Sequence, residues 1–257
     1  MSRTELKYLL PDRELPELRS RIEPFVQLDP HVRGREGECY TVRSIYLDTP
    51  GLRYYHEKKA GIRVRRKLRI RGYNDLRAGD WVFLEIKRKV QNRVSKNRAP
   101  ISYETLPQIL GSGDVDRYVL TNRHYPNSRE DGRRFFYHVY RYGLIPTFST
   151  VYEREAYFGR FDSSFRITLD RGLRGGSYPS VTDLDDESSL RTVRPGHTIV
   201  EVKFDSIFPR WLRSVLGRFD LRMEALSKYC MCAEVSGRNW DRPNSVLGSY
   251  KMSARSV

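Results

Sequence analysis

Residues 62–71 read Ile-Arg-Val-Arg-Arg-Lys-Leu-Arg-Ile-Arg. Arg63, Arg65, Lys67, Arg69 and Arg71 take every second position, and Ile62, Val64, Leu68 and Ile70 fill the gaps, with Arg66 breaking the apolar row. A strand turns alternate side chains to opposite faces, so this stretch reads as one strand with a cationic face and an apolar face. The next segment repeats the scheme, with Val82, Leu84, Ile86 and Val90 opposed to Glu85, Lys87 and Lys89. Working outward, Arg3, Glu5 and Lys7 alternate with Thr4, Leu6 and Tyr8. Arg166, Thr168 and Asp170 alternate with Phe165, Ile167 and Leu169, and Glu201 and Lys203 with Val200, Val202 and Phe204. Tyr152 and Arg154 belong to a further strand in residues 151–158.

A half-exposed antiparallel sheet with its polar face in water explains any one of these strands. It explains five together poorly, because like charges on neighbouring strands repel. In an enclosed interior the same charges need a bound counter-charge to offset repulsion and desolvation. The pattern therefore predicts an α+β chain built on a closed or nearly closed antiparallel β-barrel, with a charged lumen and helices packed outside. Helices are expected from Pro11 to Phe25 with Asp12 as N-cap, around Glu104–Leu110 and Phe135–Tyr142, from Pro209 to Phe219, and from Met223 to Val235. The polar stretches 111–134 and 172–196 read as loops. With no repeat and no linker, residues 1–238 form one expected domain and 239–257 a C-terminal extension.

The 257-residue chain carries 47 Lys and Arg against 32 Asp and Glu, a net charge of +15. Thirty-seven of the cations are Arg, whose planar fork pairs bidentately with phosphate oxygens. Between Arg43 and Arg98, 17 cations face only five acids, which is most of the excess. A hydrophobic fraction of 39% excludes a disordered chain. No apolar run is long enough to span a membrane, the first residues lack the shape of a signal peptide, and Cys39, Cys230 and Cys232 show no zinc spacing. These features predict a cytoplasmic protein that meets a polyanion. No aromatic stacking platform is evident, so nucleic acid is not the expected partner. No Ser-His-Asp, Cys-His or P-loop signature competes.

In chain order the sequence contains RTELKY at 3–8, YLDTP at 46–50, KLRIRGY at 67–73, LEIKRK at 84–89 and SKNR at 95–98. YEREAY at 152–157, FRITLD at 165–170, IVEVKF at 199–204 and SKY at 227–229 follow. This ordered set, spanning roughly Arg3 to Tyr229, resembles the polyphosphate polymerase (vacuolar transporter chaperone, VTC) domain. That domain belongs with the CYTH phosphatases in the triphosphate tunnel metalloenzyme superfamily. The resemblance implies a tunnel of eight strands whose cations hold a triphosphate or growing chain and whose acids hold Mn²⁺ or Mg²⁺. It assigns Lys7, Arg69, Arg71, Lys87, Arg154, Arg166 and Lys228 to catalysis. Lys58, Arg65, Lys67, Lys96, Arg98, Tyr152, Lys203 and Ser227 would bind the polyphosphate, and Glu201, Glu85 and Glu5 the metal.

Two departures matter. Arg3 stands where hydrolytic relatives carry the first Glu of ExExK, which disfavours a two-metal hydrolase. Ala225 stands where a polymerase carries another cation near the acceptor end. The implied activity is transfer of the γ-phosphoryl group of ATP to inorganic polyphosphate with release of ADP. A triphosphatase or polyphosphatase of the same fold and a non-catalytic polyanion-binding module are the rivals. Glu201 as a plain ion-pair partner, Ser227 as an ordinary helix serine and Tyr152 as core are the simpler alternatives. Cys230, Cys232, Trp211 and Leu212 read as structural. Coupling of synthesis to translocation would require a membrane partner.

Overall fold

The alternation read above becomes the two faces of one antiparallel sheet. The computed structural model describes residues 4–236 except 33, 91, 92, 163, 183 and 206, so Arg3 and the extension at 239–257 lie outside the described residues. The strands are β1 (Thr4–Pro11), β2 (Val26–Leu28), β3 (Tyr40–Asp48), β4 (Val64–Tyr73), β5 (Trp81–Val90), β6 (Arg93–Ser102), β7 (Ile145–Gly159), β8 (Arg166–Ser177), β9 (Arg191–Thr192) and β10 (His197–Phe204). Eight of them pair in the order β1-β10-β8-β7-β3-β4-β5-β6; β2 adds to β7 and β9 to β8.

The register decides which charges meet. Arg69 stands opposite Glu85, and Glu85 opposite Arg98. One row away Lys67, Lys87 and Lys96 stand abreast on β4, β5 and β6. Across β1, β10 and β8 the row is Lys7, Glu201, Thr168. In β8 a bulge sets Gly172 and Leu173 against Tyr152 alone. Gly172 has φ +56°, a left-handed conformation that glycine takes without Cβ strain.

The apolar faces are covered as expected. Outside β3–β6, Leu68, Ile70, Leu84 and Ile101 pack under α3 (Leu106–Ser112), α4 (Val115–Tyr118) and α5 (Ser128–Tyr142). Outside β1, β10 and β8, Leu10, Ile167, Leu169 and Val202 pack under α1 (Leu15–Ile22) and α6 (Arg210–Leu216). Leu212 is fully buried there, and Trp211 stacks on Phe25 at 4.3 Å. The last helix, α7 (Lys228–Ser236), lies against β7 and β8, and Tyr229 to Ala233 are all buried. It sits so close that a Cβ on Gly175 would come within 2.5 Å of Cys232 Sγ.

Four expectations are corrected. The sheet is not closed: no ladder joins β1 to β6 among the described residues. Each edge has another partner. Glu224 N–H donates to the Lys7 carbonyl (2.9 Å) and Tyr8 bridges to Met223, while Leu120 N–H donates to the Pro100 carbonyl (2.9 Å). For the same reason the last helix begins at Lys228 and not at Met223, since residues 223–224 run beside β1. Asp12 does not cap a helix with its side chain; it accepts from Thr198 Oγ1 at 2.7 Å, tying the chain to β10. The stretch 111–134 holds α4 and the start of α5, and 172–196 holds the end of β8 and β9. A further short helix, α2 (Arg53–Lys59), carries Lys58.

Candidate functional site

The inward sheet face encloses two adjoining cavities of about 1030 and 290 Å³. They share a waist lined by Glu5, Arg69, Arg71, Lys87, Val94, Arg154 and Lys203, so together they form one passage with two mouths. The larger cavity adds Lys96, Arg98 and Arg166. The smaller adds Lys7, Lys58, Arg65, Lys67, Tyr152, Glu201, Ser227 and Lys228. Every sequence-predicted site residue therefore lines the passage except Glu85.

Glu85 lies behind its cations and is 1% exposed. Arg69 Nε donates to its Oε2 at 2.7 Å, Lys96 and Arg98 approach Oε1 at 2.7 and 2.9 Å, and Arg71 stands 3.9 Å from Oε2. The two contacts to Oε1 are close ion pairs without aligned hydrogen bonds to that oxygen or from Arg98 Nε. Burial works against ionisation here, but the four cations hold the carboxyl well below the usual range. Walled in this way, Glu85 does not reach the lumen as a metal ligand would, and the expectation that it binds metal is corrected on that ground.

A second acidic node lies across the waist. Glu201 Oε1 meets Lys7 Nζ and Lys228 Nζ, both at 3.0 Å, and its Oε2 meets Arg154 at 3.5 Å and Lys203 at 3.6 Å. Asp170 accepts a bidentate pair from Arg154 at 2.6 and 2.7 Å and a bond from Lys228. Burial opposes ionisation of both acids and their cations outweigh it, so both are held below their ordinary values. Glu5 meets Lys7 at 3.1 Å and Lys87 at 3.3 Å, and against burial these charges take it down to about 2. Asp170 escaped the sequence reading as a site residue, although its alternation with Arg166 and Thr168 placed it on the right face. Asp29, which accepts from Arg166 at 2.7 Å, comes from a loop that carried no signal.

The smaller mouth has cations with no acid against them. Lys67 donates to Ser227 Oγ at 2.7 Å and lies 5.5 Å from the Tyr229 ring. Burial brings it down to about 8. Burial also brings Lys203 to about 8, although Glu201 and Glu5 pull it up. Tyr46, buried and so pushed up, is pulled down to about 8 by Arg69, Arg71 and Lys67. Ser227 is not an ordinary helix serine. It accepts from the Cys230 N–H at 3.3 Å as the cap of α7. Tyr152 is buried beneath Arg154 and Lys228, 5.2 and 4.6 Å from its ring, and so serves as core and as lumenal wall at once.

Asp48 explains the YLDTP and SKY segments. Its buried carboxylate accepts from the backbone N–H groups of Thr49, Tyr54 and Tyr55 at 2.7, 2.9 and 3.0 Å and from the Tyr229 hydroxyl. It thereby fixes α2 and α7, the helices that carry Lys58 and Lys228, to the end of β3.

Among the described residues no three acidic, His or Cys side chains converge as a ready metal centre. The donor chemistry still suits one. Glu201 Oε2 and Glu5 Oε2 both face Lys203 Nζ, at 3.6 and 3.9 Å. Two hard oxygens on one shared cation fit Mn²⁺ or Mg²⁺ if phosphate oxygens complete the shell.

The fold and site together define an antiparallel sheet curved around an arginine- and lysine-lined passage. The chain belongs to the VTC domain family, whose model matches residues 2–236. No curated protein matches it. Among solved structures it is similar to PH1819 protein from Pyrococcus horikoshii OT3, with TM-score 0.44 and 12% identity over 90% of this chain and 99% of that one. It is also similar to a chain of the Schizosaccharomyces pombe Mediator head module (TM-score 0.38, 10% identity, 85% and 90% covered). A third is the mimivirus capping enzyme triphosphatase (TM-score 0.32, 10% identity, 84% and 88% covered). No helix among the described residues is long and apolar enough to cross a membrane.

Proposed function

We propose that the protein is a polyphosphate polymerase that transfers the γ-phosphoryl group of ATP to an inorganic polyphosphate chain and releases ADP. Residues 1–238 would form its single catalytic domain, acting in the cytoplasm. The waist carries this reading: Arg69, Arg71, Lys87, Arg154 and Lys203 line the point where two open cavities meet, and Glu5 is the one acid they share that lining with among the described residues. A passage open at both ends suits a substrate and product that are chains.

In this reading Arg69, Arg71 and Arg154 hold the transferring phosphoryl group, Lys96 and Arg166 in the larger cavity hold the donor's other phosphates, and Lys7 and Lys228 in the smaller cavity hold the acceptor's terminal phosphate. Lys58, Arg65 and Lys67 guide the chain through the smaller mouth. The acceptor's terminal phosphate, with a second pKa of roughly 6, is already an oxyanion at neutral pH and needs no base. Its oxygen forms the new P–O bond as the bridging bond to ADP breaks. The protein's part is positioning and charge neutralisation. Mn²⁺ or Mg²⁺ held by Glu201 and Glu5 would add neutralisation of phosphate charge. A water nucleophile, in contrast, does require a base, and the acids nearest the waist, Glu5, Glu201 and Asp170, are each held ionised below their ordinary value by two or more cations. That favours transfer over hydrolysis.

The test is incubation with ATP and Mn²⁺ or Mg²⁺. Long polyphosphate chains with stoichiometric ADP are expected. Free phosphate alone would make the protein a hydrolase, and no turnover at all would make it a binding module.

A further inference from the structure

The two mouths of the passage differ in chemistry. The smaller one is cationic. At the larger one an aromatic cluster comes together from separate segments: Tyr73 at the end of β4, Phe83 on β5 and Tyr125 in the loop before α5. Phe83 lies 6.1 Å from Tyr73 and 5.7 Å from Tyr125, ring centre to ring centre, and all three line the larger cavity. The expectation from sequence that no stacking platform exists is thereby corrected.

Arg98 is held within this cluster. Its guanidinium carbon lies 3.6 Å above the centre of Phe83, Nη2 donates to the Tyr73 hydroxyl at 2.7 Å, and Nη1 donates to the Tyr125 hydroxyl at 3.4 Å. Glu85 fixes its other side. Arg98 keeps 21% of its side chain exposed and lines the cavity. A planar cation braced from behind by a ring is a surface on which a flat heterocycle stacks. A phosphate chain has no use for such a surface; a nucleoside does. Lys96 shares Glu85 with Arg98, so the place is one residue from the phosphate-binding cations.

Resting on the polymerase reading, we propose that Phe83, Arg98 and Tyr125 seat the nucleobase of the donor nucleotide at the larger mouth. The growing chain then occupies the smaller, cationic mouth. Stacking uses the π-face that every base has, so the seat distinguishes nucleotides from bare phosphate chains and is tolerant of base identity.

The experiment compares ATP, GTP and inorganic tripolyphosphate as ligands of the wild-type protein, Tyr125→Ala and Tyr125→Phe, by calorimetry. In the wild type both nucleotides should bind more tightly than tripolyphosphate. Tyr125→Ala should weaken ATP and GTP by roughly fivefold or more, the low end of one stacking contact, with tripolyphosphate unchanged. Tyr125→Phe, which keeps the ring, should retain nucleotide affinity. Equal loss for all three ligands, or no loss for the nucleotides, would overturn the base seat alone. A wild type that binds none of the three would instead overturn the polymerase reading, and the base seat with it.

Discussion

Replacing Glu85 by Gln tests whether the lumen is a store of like charge. The substitution keeps the shape and removes one negative charge from a site where three cations lie within 2.9 Å and a fourth at 3.9 Å. Breaking a buried ion pair costs about 3–5 kcal/mol because the partners are left uncompensated. An amide oxygen still accepts one hydrogen bond, so about 3 kcal/mol is the expected loss. For a chain of this size each kcal/mol is worth about 2–4 °C, so the melting temperature should fall by roughly 6–12 °C. Tripolyphosphate should shrink that gap, since it supplies the missing counter-charge and binds a lumen with one acid fewer more tightly. The pH dependence has a definite sign. Glu85 is held below its unfolded value of 4.5, so the stability it contributes is full at pH 7. That contribution is lost as pH falls below about 4.5 towards the folded value. Thermal melts of both proteins at pH 7 and pH 4, with and without tripolyphosphate, carry the test. A gap that is absent at pH 7, or that tripolyphosphate leaves untouched, would refute the reasoning.

Glu201→Gln should reduce chain synthesis at least a hundredfold, about 2.7 kcal/mol of barrier, while tripolyphosphate affinity stays the same or rises. Wild-type chain synthesis in that variant would reduce Glu201 to an ion-pair partner of Lys7 and Lys228. Lys67 and Lys203 lose their protons near pH 8 and Tyr46 becomes an anion there, so polyphosphate binding should weaken as pH rises through about 8. Binding at pH 8.5 should take up protons, whereas binding at pH 6.5 should not. Calorimetry in buffers of different ionisation enthalpy measures this, and equal proton uptake at both pH values would exclude these three groups.

What could be read from the sequence was whatever depends on period two. Alternation at residues 62–71, 82–90, 165–170 and 200–204 placed Arg65, Lys67, Arg69, Arg71, Lys87, Arg166 and Lys203 on the lumenal side, because a one-residue shift would turn the whole apolar row to the lumen. Other features depend on which strands become neighbours. Nothing local says that Lys96 and Arg98 come up against Glu85; that follows from the β5–β6 register. Nothing local brings Tyr73, Phe83 and Tyr125 together, since three segments supply them. The open seam between β1 and β6 depends on residues 119–120 and 223–224 taking the edges, and those residues carry no strand periodicity. The short helices α2 and α4 span too few turns for a 3.6-residue pattern to stand out.

The two acidic nodes also explain how the free protein tolerates its lumen. Glu85 neutralises the Arg69–Arg98 side, and Glu201 with Asp170 neutralises Lys7, Arg154 and Lys228. Between them runs the row Lys67, Lys87 and Lys96, three like charges abreast with no acid in register. The row disperses its repulsion in three directions. Lys96 reaches Glu85, Lys87 reaches Glu5 across the seam, and Lys67 turns to the Ser227 hydroxyl. Of the three only Lys67 finds no carboxylate, and burial loosens its proton to about 8. Shedding a proton costs less than holding an unpaired buried charge, so near pH 8 the empty passage lowers its own charge. A phosphate chain entering the row reverses each adjustment, drawing the lysines off their internal partners and restoring the proton on Lys67. In this account, above about pH 8, the lumen carries its full positive charge only while a polyanion is inside it.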